Sequence, residues 1–472
     1  MLTLEAAGKL LRQHGQDHLL AFYDELDEPA RRELLGRIES IDFDRLDGLI
    51  ASHVLAEPEV KIPDDVRPPP ILPARPGPEE ADRYAAARAR GAELIAAGRV
   101  AALVVAGGQG TRLGFPGPKG CLEATPVKRK SLFGLLAEQV LAASRRYGGA
   151  VPFYVMTSPD NAAETREFFV AGDFFGLDAD DVFFFVQGEM PAVGLDGKVL
   201  LAEKGGVAMA PDGHGGCLEA LRRSGALDDM AGRGVELISY FQVDNPLVHC
   251  VDPLFVGLHA GAGAEMSAKA VPKRDPLEKL GNFCLTDGRV MVIEYSDMPE
   301  ELARSTRPDG TLRFAAGSIA IHAFSRAFVE RLTAAGEPGL PFHRAVKKVP
   351  RVDAAGRAGE PASPNAVKLE RFIFDALPLA TETVLLETLR GEEFSPIKNA
   401  AGADSVETCL HDQVRRSAEW LESAGVAVPR DARGEVAAAI EISPLLALDA
   451  GELADRIDPA LRVKPGQELY LE

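Results

Sequence analysis

Residues 104–120 read VVAGGQGTRLGFPGPKG: an apolar run that stops abruptly, then six glycines, one arginine and one lysine. A strand that empties into glycines lets backbone N–H groups come close to phosphate oxygens, because side chains there would block the approach. Two familiar cradles can be tested against the spacing. The dinucleotide fingerprint GxGxxG can start at Gly108 and continue at Gly110, but its third position is Leu113. The P-loop GxxxxGK[ST] fails on both sides of its lysine: Pro118 precedes Lys119, and Gly120 stands where a Mg2+-holding hydroxyl belongs. What remains is GGxGTRLG, with Arg112 inside the cradle and Lys119 placed to close over it.

Working outward, the loop sits between the apolar run VAALVVAG and the helical pattern SLFGLLAEQVLAASRRYG. From about 99 to 400 such runs keep alternating with helical segments: VPFYVMTS, VFFFVQG, VELISYFQVD, EMSAKAVPK, VMVIEYS, GSIAIHAF and VKLERFIFDAL. This alternation predicts an α/β fold with a largely parallel sheet covered by helices on both faces, its ligands at the carboxyl ends of the strands. Before it, residues 1–57 show the charged, helical periodicity of several short amphipathic helices, and KIPDDVRPPPILPARPGP (61–78) cannot continue a helix. The division expected is a helical lead with a proline-rich connector over 1–75, a catalytic domain over 76–400 and a small, β-rich C-terminal module over 401–472.

Composition narrows the function classes. The chain carries 52 basic and 71 acidic residues, a net charge of −19, which argues against a general electrostatic grip on nucleic acid. An anionic ligand must then be met by local cations. The five cysteines are scattered without metal-ligand spacing, as expected of reduced thiols. The stretch MLTLEAAGKLLRQHGQDHLL turns polar too early for a signal peptide. No apolar run reaches the roughly 18–20 residues of a membrane span, so a cytoplasmic protein with no membrane partner is expected.

AGGQGTRLG followed by PKG resembles the signature of the UDP-sugar pyrophosphorylases, and more closely the UDP-N-acetylhexosamine branch of eukaryotic type. Further stretches similar to that family follow in order: FFG (174–176), FFFVQG (183–188), MAPDGHGG (209–216), QVDNPLV (242–248), VIEYSD (292–297), KLERFIFD (368–375) and EFSPIKNA (393–400). GQDHLLAFYDEL near the start and EISPL near the end are also similar, so the resemblance spans nearly the whole chain. It implies a mixed, mostly parallel nucleotide-diphospho-sugar transferase sheet (Rossmann-like, GT-A-like). The reaction it implies is UTP plus a sugar 1-phosphate giving a UDP-sugar and pyrophosphate. A sugar phosphate has a second pKa of about 6 and is already a nucleophile at pH 7. No general base is needed, and no Ser/His/Asp or Cys/His constellation stands out.

The resemblance also implies roles. Ala106, Gly107 and Gly108 would hold the nucleotide through backbone groups, Arg112 the leaving pyrophosphate and Lys119 the α-phosphate. Asp244, after the run VELISYFQV, would hold Mg2+; read from the residues alone, its DNP is equally a turn signal. Gln187 and Gly213 would meet the uracil, His214, Gly281, Glu294 and Ser318 the sugar, and Lys368 the sugar's phosphate. Two positions depart from the branch, which usually carries asparagine where this chain has Ser318 and His214. N-acetylglucosamine 1-phosphate is the first candidate sugar. The alternatives left open are a uridylyltransferase of broad hexose specificity and a catalytically weak UDP-sugar binding protein. The chain is expected to be a monomer or a weak homo-oligomer.

Overall fold

The computed structural model describes residues 2–58, 62–335 and 339–472. By compactness the chain forms two units, each drawn from three separate stretches. The larger comprises Ile62–Val186, Leu218–Pro338 and Ala376–Glu472, the smaller Met1–Lys61, Gln187–Cys217 and Gly339–Asp375. These units cut across the linear division expected from the sequence.

The larger unit is built on one nine-stranded sheet. Its first strand, Val100–Val105, is apolar along its whole length and lies parallel to Phe153–Thr157 on one side and Leu237–Gln242 on the other. Phe153–Thr157 in turn lies parallel to Val182–Val186. Beyond Leu237–Gln242 the sheet becomes antiparallel through Ala316–Ser325, which pairs with both Gly281–Thr286 and Met266–Pro272. Thr383–Glu387 joins Met266–Pro272 in parallel, and Arg289–Ile293 closes a hairpin with Gly281–Thr286. The α/β sheet expected from the alternating pattern is therefore present, and it is mixed, as the family resemblance implies.

Helices cover this sheet for reasons visible in their ends. Leu132–Tyr147 starts at Ser131, whose hydroxyl accepts the Gly134 N–H, and stops at Gly148 in the left-handed conformation. Ala81–Ala96 crosses Pro253–Gly261 so closely that a methyl at Gly257 would stand 1.7 Å from the Ala87 carbonyl oxygen. The proline-rich connector runs extended along the same sheet, Arg67 bridging Leu285 and Leu72 bridging Leu386.

The C-terminal residues contain the helix Val406–Ser423, started by a Ser405/Thr408 capping box. Their strand content is limited to one parallel pair, Ala439–Ile442 with Glu468–Leu471. The β-rich module expected there is thus strand-poor. Trp420 and Leu421 on the helix pack with Ile440 and Leu453, so the helix supplies the apolar cover.

In the smaller unit the N-terminal segment is helical as its periodicity predicts: Leu4–Gln13, Glu28–Ser40 and Phe43–Leu49, capped by Thr3, Asp27 and Asp42. Their apolar faces share one core with Val193, Val199, Phe342, Val367 and Leu369. The strands there are Phe342–Lys347, Ala366–Arg371 and Val193–Gly194, in one antiparallel sheet. All five cysteines are free thiols. Among the described residues, no helix is long and apolar enough to cross a membrane.

The glycine crossing has a testable cost. Gly257→Ala is expected to lower Tm in thermal denaturation by the equivalent of about 1–3 kcal/mol. Gly36→Ala, at an exposed helical position with open space around it, is expected to raise Tm slightly.

Candidate functional site

In the larger unit the site begins with strand register. Val105 pairs with Gln242, so two residues further on Gly107 and Asp244 leave the same edge of the sheet side by side. Ala106 is buried, its N–H donated to Met156 and its carbonyl accepting the Asn161 side chain at 3.0 Å. After it the chain turns away from the sheet, and the Gly107 and Gly108 N–H groups find no partner among the described residues. The loop then folds back on itself. Lys119 N–H donates to the Gly108 carbonyl at 3.0 Å and Gly110 N–H to Gly117 at 2.8 Å, which carries Lys119 back over the loop mouth.

There the Lys119 ammonium lies 3.6 Å from the Asp244 carboxylate and 3.4 Å from the Ile397 carbonyl, to which it donates. Ile397 N–H donates to the Asp244 carbonyl at 2.8 Å, so one residue brackets both. Arg112 stands exposed on the same loop with no side-chain partner among the described residues. The EFSPIKNA motif, in which the sequence alone singles out no residue, supplies a third cation. Lys398, next after Ile397, is exposed with its ammonium over the Phe394 ring. Only the folded chain reveals this neighbour.

A second group of expected residues also comes together in this unit. Gly281 pairs with Ser318 across adjacent strands. A methyl at Gly281 would meet Glu294 Oε1 at 3.3 Å and Ser318 Cβ at 3.8 Å. Gly281, Glu294 and Ser318 therefore share one small surface, with Glu294 and Ser318 half-buried.

The smaller unit holds the remaining candidates. Gln187 is only 6 % exposed, yet its amide has no hydrogen-bond partner among the described residues. Asp212 N–H donates to the Gly188 carbonyl, which brings the PDGHGG turn beside Gln187. The turn is locked by the buried Asp212–Arg371 ion pair at 2.5 Å. Gly213, at φ +85°, passes so near that a methyl would stand 2.4 Å from the Arg371 carbonyl oxygen. His214 Nδ1 accepts the Ile373 N–H at 3.1 Å, which leaves the ring proton on Nε2 as a donor. Its ring stacks on Phe372, which stacks on His343, itself 2.8 Å from Asp375. Lys368 lies on the strand Ala366–Arg371, half-buried, with no side-chain partner among the described residues.

Desolvation, aided by the neighbouring His343, pulls the pKa of His214 down to about 4. It is a neutral donor at pH 7. Burial pushes the Cys121 thiol, two residues after Lys119, up to about 12, which removes it as a nucleophile.

Two places are candidates for a metal. Asp244 offers a hard oxygen with no partner but the Lys119 ammonium among the described residues, which suits Mg2+ shared with phosphate oxygens. The group His249, Asp252 and Glu393 has its ligand atoms within 4.8 Å of one another. The Lys269 ammonium lies 2.7 Å from Asp252 and 2.6 Å from Glu393, so that group already holds a cation of its own.

A family model described as UTP--glucose-1-phosphate uridylyltransferase matches residues 78–416. The chain is 40% identical to the human UDP-N-acetylhexosamine pyrophosphorylase-like protein 1, over 92% of this chain and 91% of that protein. It is 33% identical to UDP-N-acetylglucosamine diphosphorylase 2 of Arabidopsis thaliana, over 96% and 91%. The structure of the uridine diphosphate N-acetylglucosamine pyrophosphorylase from Trypanosoma brucei superimposes with a TM-score of 0.79 at 27% identity, covering 95% of this chain and 93% of that one.

His214 makes stability depend on pH. Its pKa is lower in the folded chain than the ordinary 6.5, so the unfolded chain binds more protons between pH 6.5 and about 4, and stability is lost as pH falls through that window. His259, pulled by burial to about 4, acts in the same direction. Thermal denaturation at pH 7 and pH 5 is expected to show a fall in Tm for the native chain and a smaller fall for His214→Asn.

By sequence and by fold, the chain belongs to the UTP--glucose-1-phosphate uridylyltransferase family.

Proposed function

We propose that the chain transfers a uridylyl group from UTP to a sugar 1-phosphate, with N-acetylglucosamine 1-phosphate as the sugar substrate. The observation that carries this reading is the Lys119–Asp244 pair at the mouth of the glycine loop. A cation and a hard carboxylate oxygen 3.6 Å apart suit a triphosphate held for attack at its α-phosphorus. A sugar-phosphate oxygen attacks that phosphorus, the bond to the β-phosphate oxygen breaks, and pyrophosphate leaves with the electron pair. Catalysis then reduces to in-line positioning and neutralising charge.

In this reading the free N–H groups of Gly107 and Gly108, with Ala106, hold the nucleotide. Arg112 meets the departing pyrophosphate, Lys119 the α-phosphate and Lys368 the sugar phosphate. Gln187 and Gly213 meet the uracil, the unpaired amide offering both a donor and an acceptor. Asp244 would hold Mg2+, whose chemistry there is to neutralise phosphate charge. His214, Gly281, Glu294 and Ser318 take the sugar, His214 as an Nε2–H donor. The names of the relatives support the N-acetylated sugar.

The test is pyrophosphate release from UTP and Mg2+ with a panel of sugar 1-phosphates. Release is expected, fastest with N-acetylglucosamine 1-phosphate; none with any sugar would overturn the reading. Lys119→Ala is expected to keep the fold and lose about 10²–10³ in kcat, the cost of one preorganised donor.

A broader sugar range is favoured by one residue. Ser318, beside Gly281 and Glu294, offers one hydroxyl and a shorter reach than an asparagine amide. Ser318→Asn is expected to raise the kcat/KM preference for N-acetylglucosamine 1-phosphate over glucose 1-phosphate by about five- to tenfold, one added hydrogen bond.

A further inference from the structure

Lys269 lies in the middle of the strand Met266–Pro272 and is 1 % exposed. It sits where the pairing with Ala316–Ser325 shifts register between Ala268 and Ala270, opposite a stretch in which Ala320 takes φ +54°. The irregularity lies on the partner strand, and the lysine itself faces inward. Its ammonium reaches both oxygens of Glu393, at 2.6 and 2.7 Å, and Asp252 at 2.7 Å. Glu393 also accepts the Thr388 hydroxyl at 2.8 Å. Burial pulls the ammonium's pKa down, but the two carboxylates outweigh it and hold it above the ordinary lysine value. Each ion buried this way carries a large desolvation cost, and well-packed apolar side chains of similar volume are often no less stable. Stability alone does not account for the arrangement.

What the arrangement does is hold a segment of backbone. The Asn245 amide donates to the Glu393 carbonyl at 2.8 Å and its oxygen accepts the Ser395 N–H at 3.1 Å. Two residues on, Ile397 N–H donates to the Asp244 carbonyl, and the Ile397 carbonyl accepts from Lys119. Positions 393, 395 and 397 thus face 244–245 as strand residues would, with the Asn245 side chain taking the place of a backbone partner. The ion pair anchors one end of this segment, and the Lys119–Asp244 pair rests on the other. Ser395 is also tied to the helix Val406–Ser423, its hydroxyl donating to Asp412 at 2.7 Å.

We infer that Asn245 and Glu393 are positioning residues: through the 393–397 backbone they set the separation of the Lys119 ammonium from the Asp244 carboxylate. This rests on the reading of Lys119 and Asp244 proposed above. An asparagine suits position 245 because donor and acceptor are both used, and Glu393 needs its charge to stay bound to Lys269 rather than to turn toward solvent.

The test is steady-state kinetics of the full chain with UTP and N-acetylglucosamine 1-phosphate over a range of Mg2+ concentrations. Folding of each variant is checked by circular dichroism. Asn245→Ala is expected to lower kcat about 10- to 100-fold, as a small misplacement of reacting groups does, and to raise the Mg2+ concentration for half-maximal rate about tenfold. Its KM for UTP is expected to move less than about threefold, since most nucleotide contacts lie elsewhere. Asn245→Ser, whose hydroxyl can still donate to the Glu393 carbonyl, serves if the alanine variant does not fold and is expected to lose less. Glu393→Gln is expected to act in the same direction as Asn245→Ala. A folded Asn245 variant with native kcat and Mg2+ dependence, changed only in Tm or in KM for UTP, overturns the inference. Asp244→Asn, run in parallel, separates the two readings. If it retains full activity, the reading of Asp244 fails; if it is inactive while the Asn245 variants are native-like, only the positioning role fails.

Discussion

The parallel pairing of Val100–Val105 with Leu237–Gln242 is the constraint from which the rest of the site follows. Backbone hydrogen bonds hold its register, and a shift by one residue would carry Asp244 out of line with Gly107. With Val105 opposite Gln242, the glycine loop and Asp244 must emerge together. The loop's return, pinned by Lys119 N–H on the Gly108 carbonyl, then brings the ammonium to the carboxylate. No single one of these contacts is strong. The buried sheet holds them in one place.

An acidic chain that handles anionic substrates needs its cations concentrated. Arg112, Lys119 and Lys398 lie on or beside one loop mouth, and Lys368 stands half-buried on its strand. Other cations are held inside the protein: Lys269 by Glu393 and Asp252, Arg371 by Asp212. The two sets do different work. Those at the loop mouth and Lys368 are partly exposed, Lys119 held only by Asp244 and the Ile397 carbonyl, whereas the buried ones orient backbone that carries other groups.

Much of this was legible along the chain wherever the information is local. The strand runs, the N-terminal helices with Thr3, Asp27 and Asp42 at their starts, and the glycine loop follow from periodicity, caps and turn chemistry. The C-terminal residues were less legible. Apolar stretches such as VAAAIEISPLLAL suggest strands, but the helix Val406–Ser423 supplies most of the cover they need. The motif EFSPIKNA was visible, but not that Glu393 points to a buried lysine while Ile397 touches Asp244. Those contacts join residues more than 120 positions apart, and no local pattern encodes them.

By itself, then, the sequence determined the kind of chemistry. The glycines permit close approach to phosphate, Arg112 and Lys119 supply charge, and Leu113, Pro118 and Gly120 exclude the two commoner cradles, all through local sterics and side-chain type. Only the tertiary structure decided which residues act together. It joined the N-terminal helices to a core with Val193, Phe342 and Val367, set Gly281 against Ser318 and Glu294, and ran the 393–397 backbone beneath Asp244. The reason is that periodicity states which face of an element is apolar, while its partner is chosen by packing and hydrogen-bond satisfaction across the whole chain.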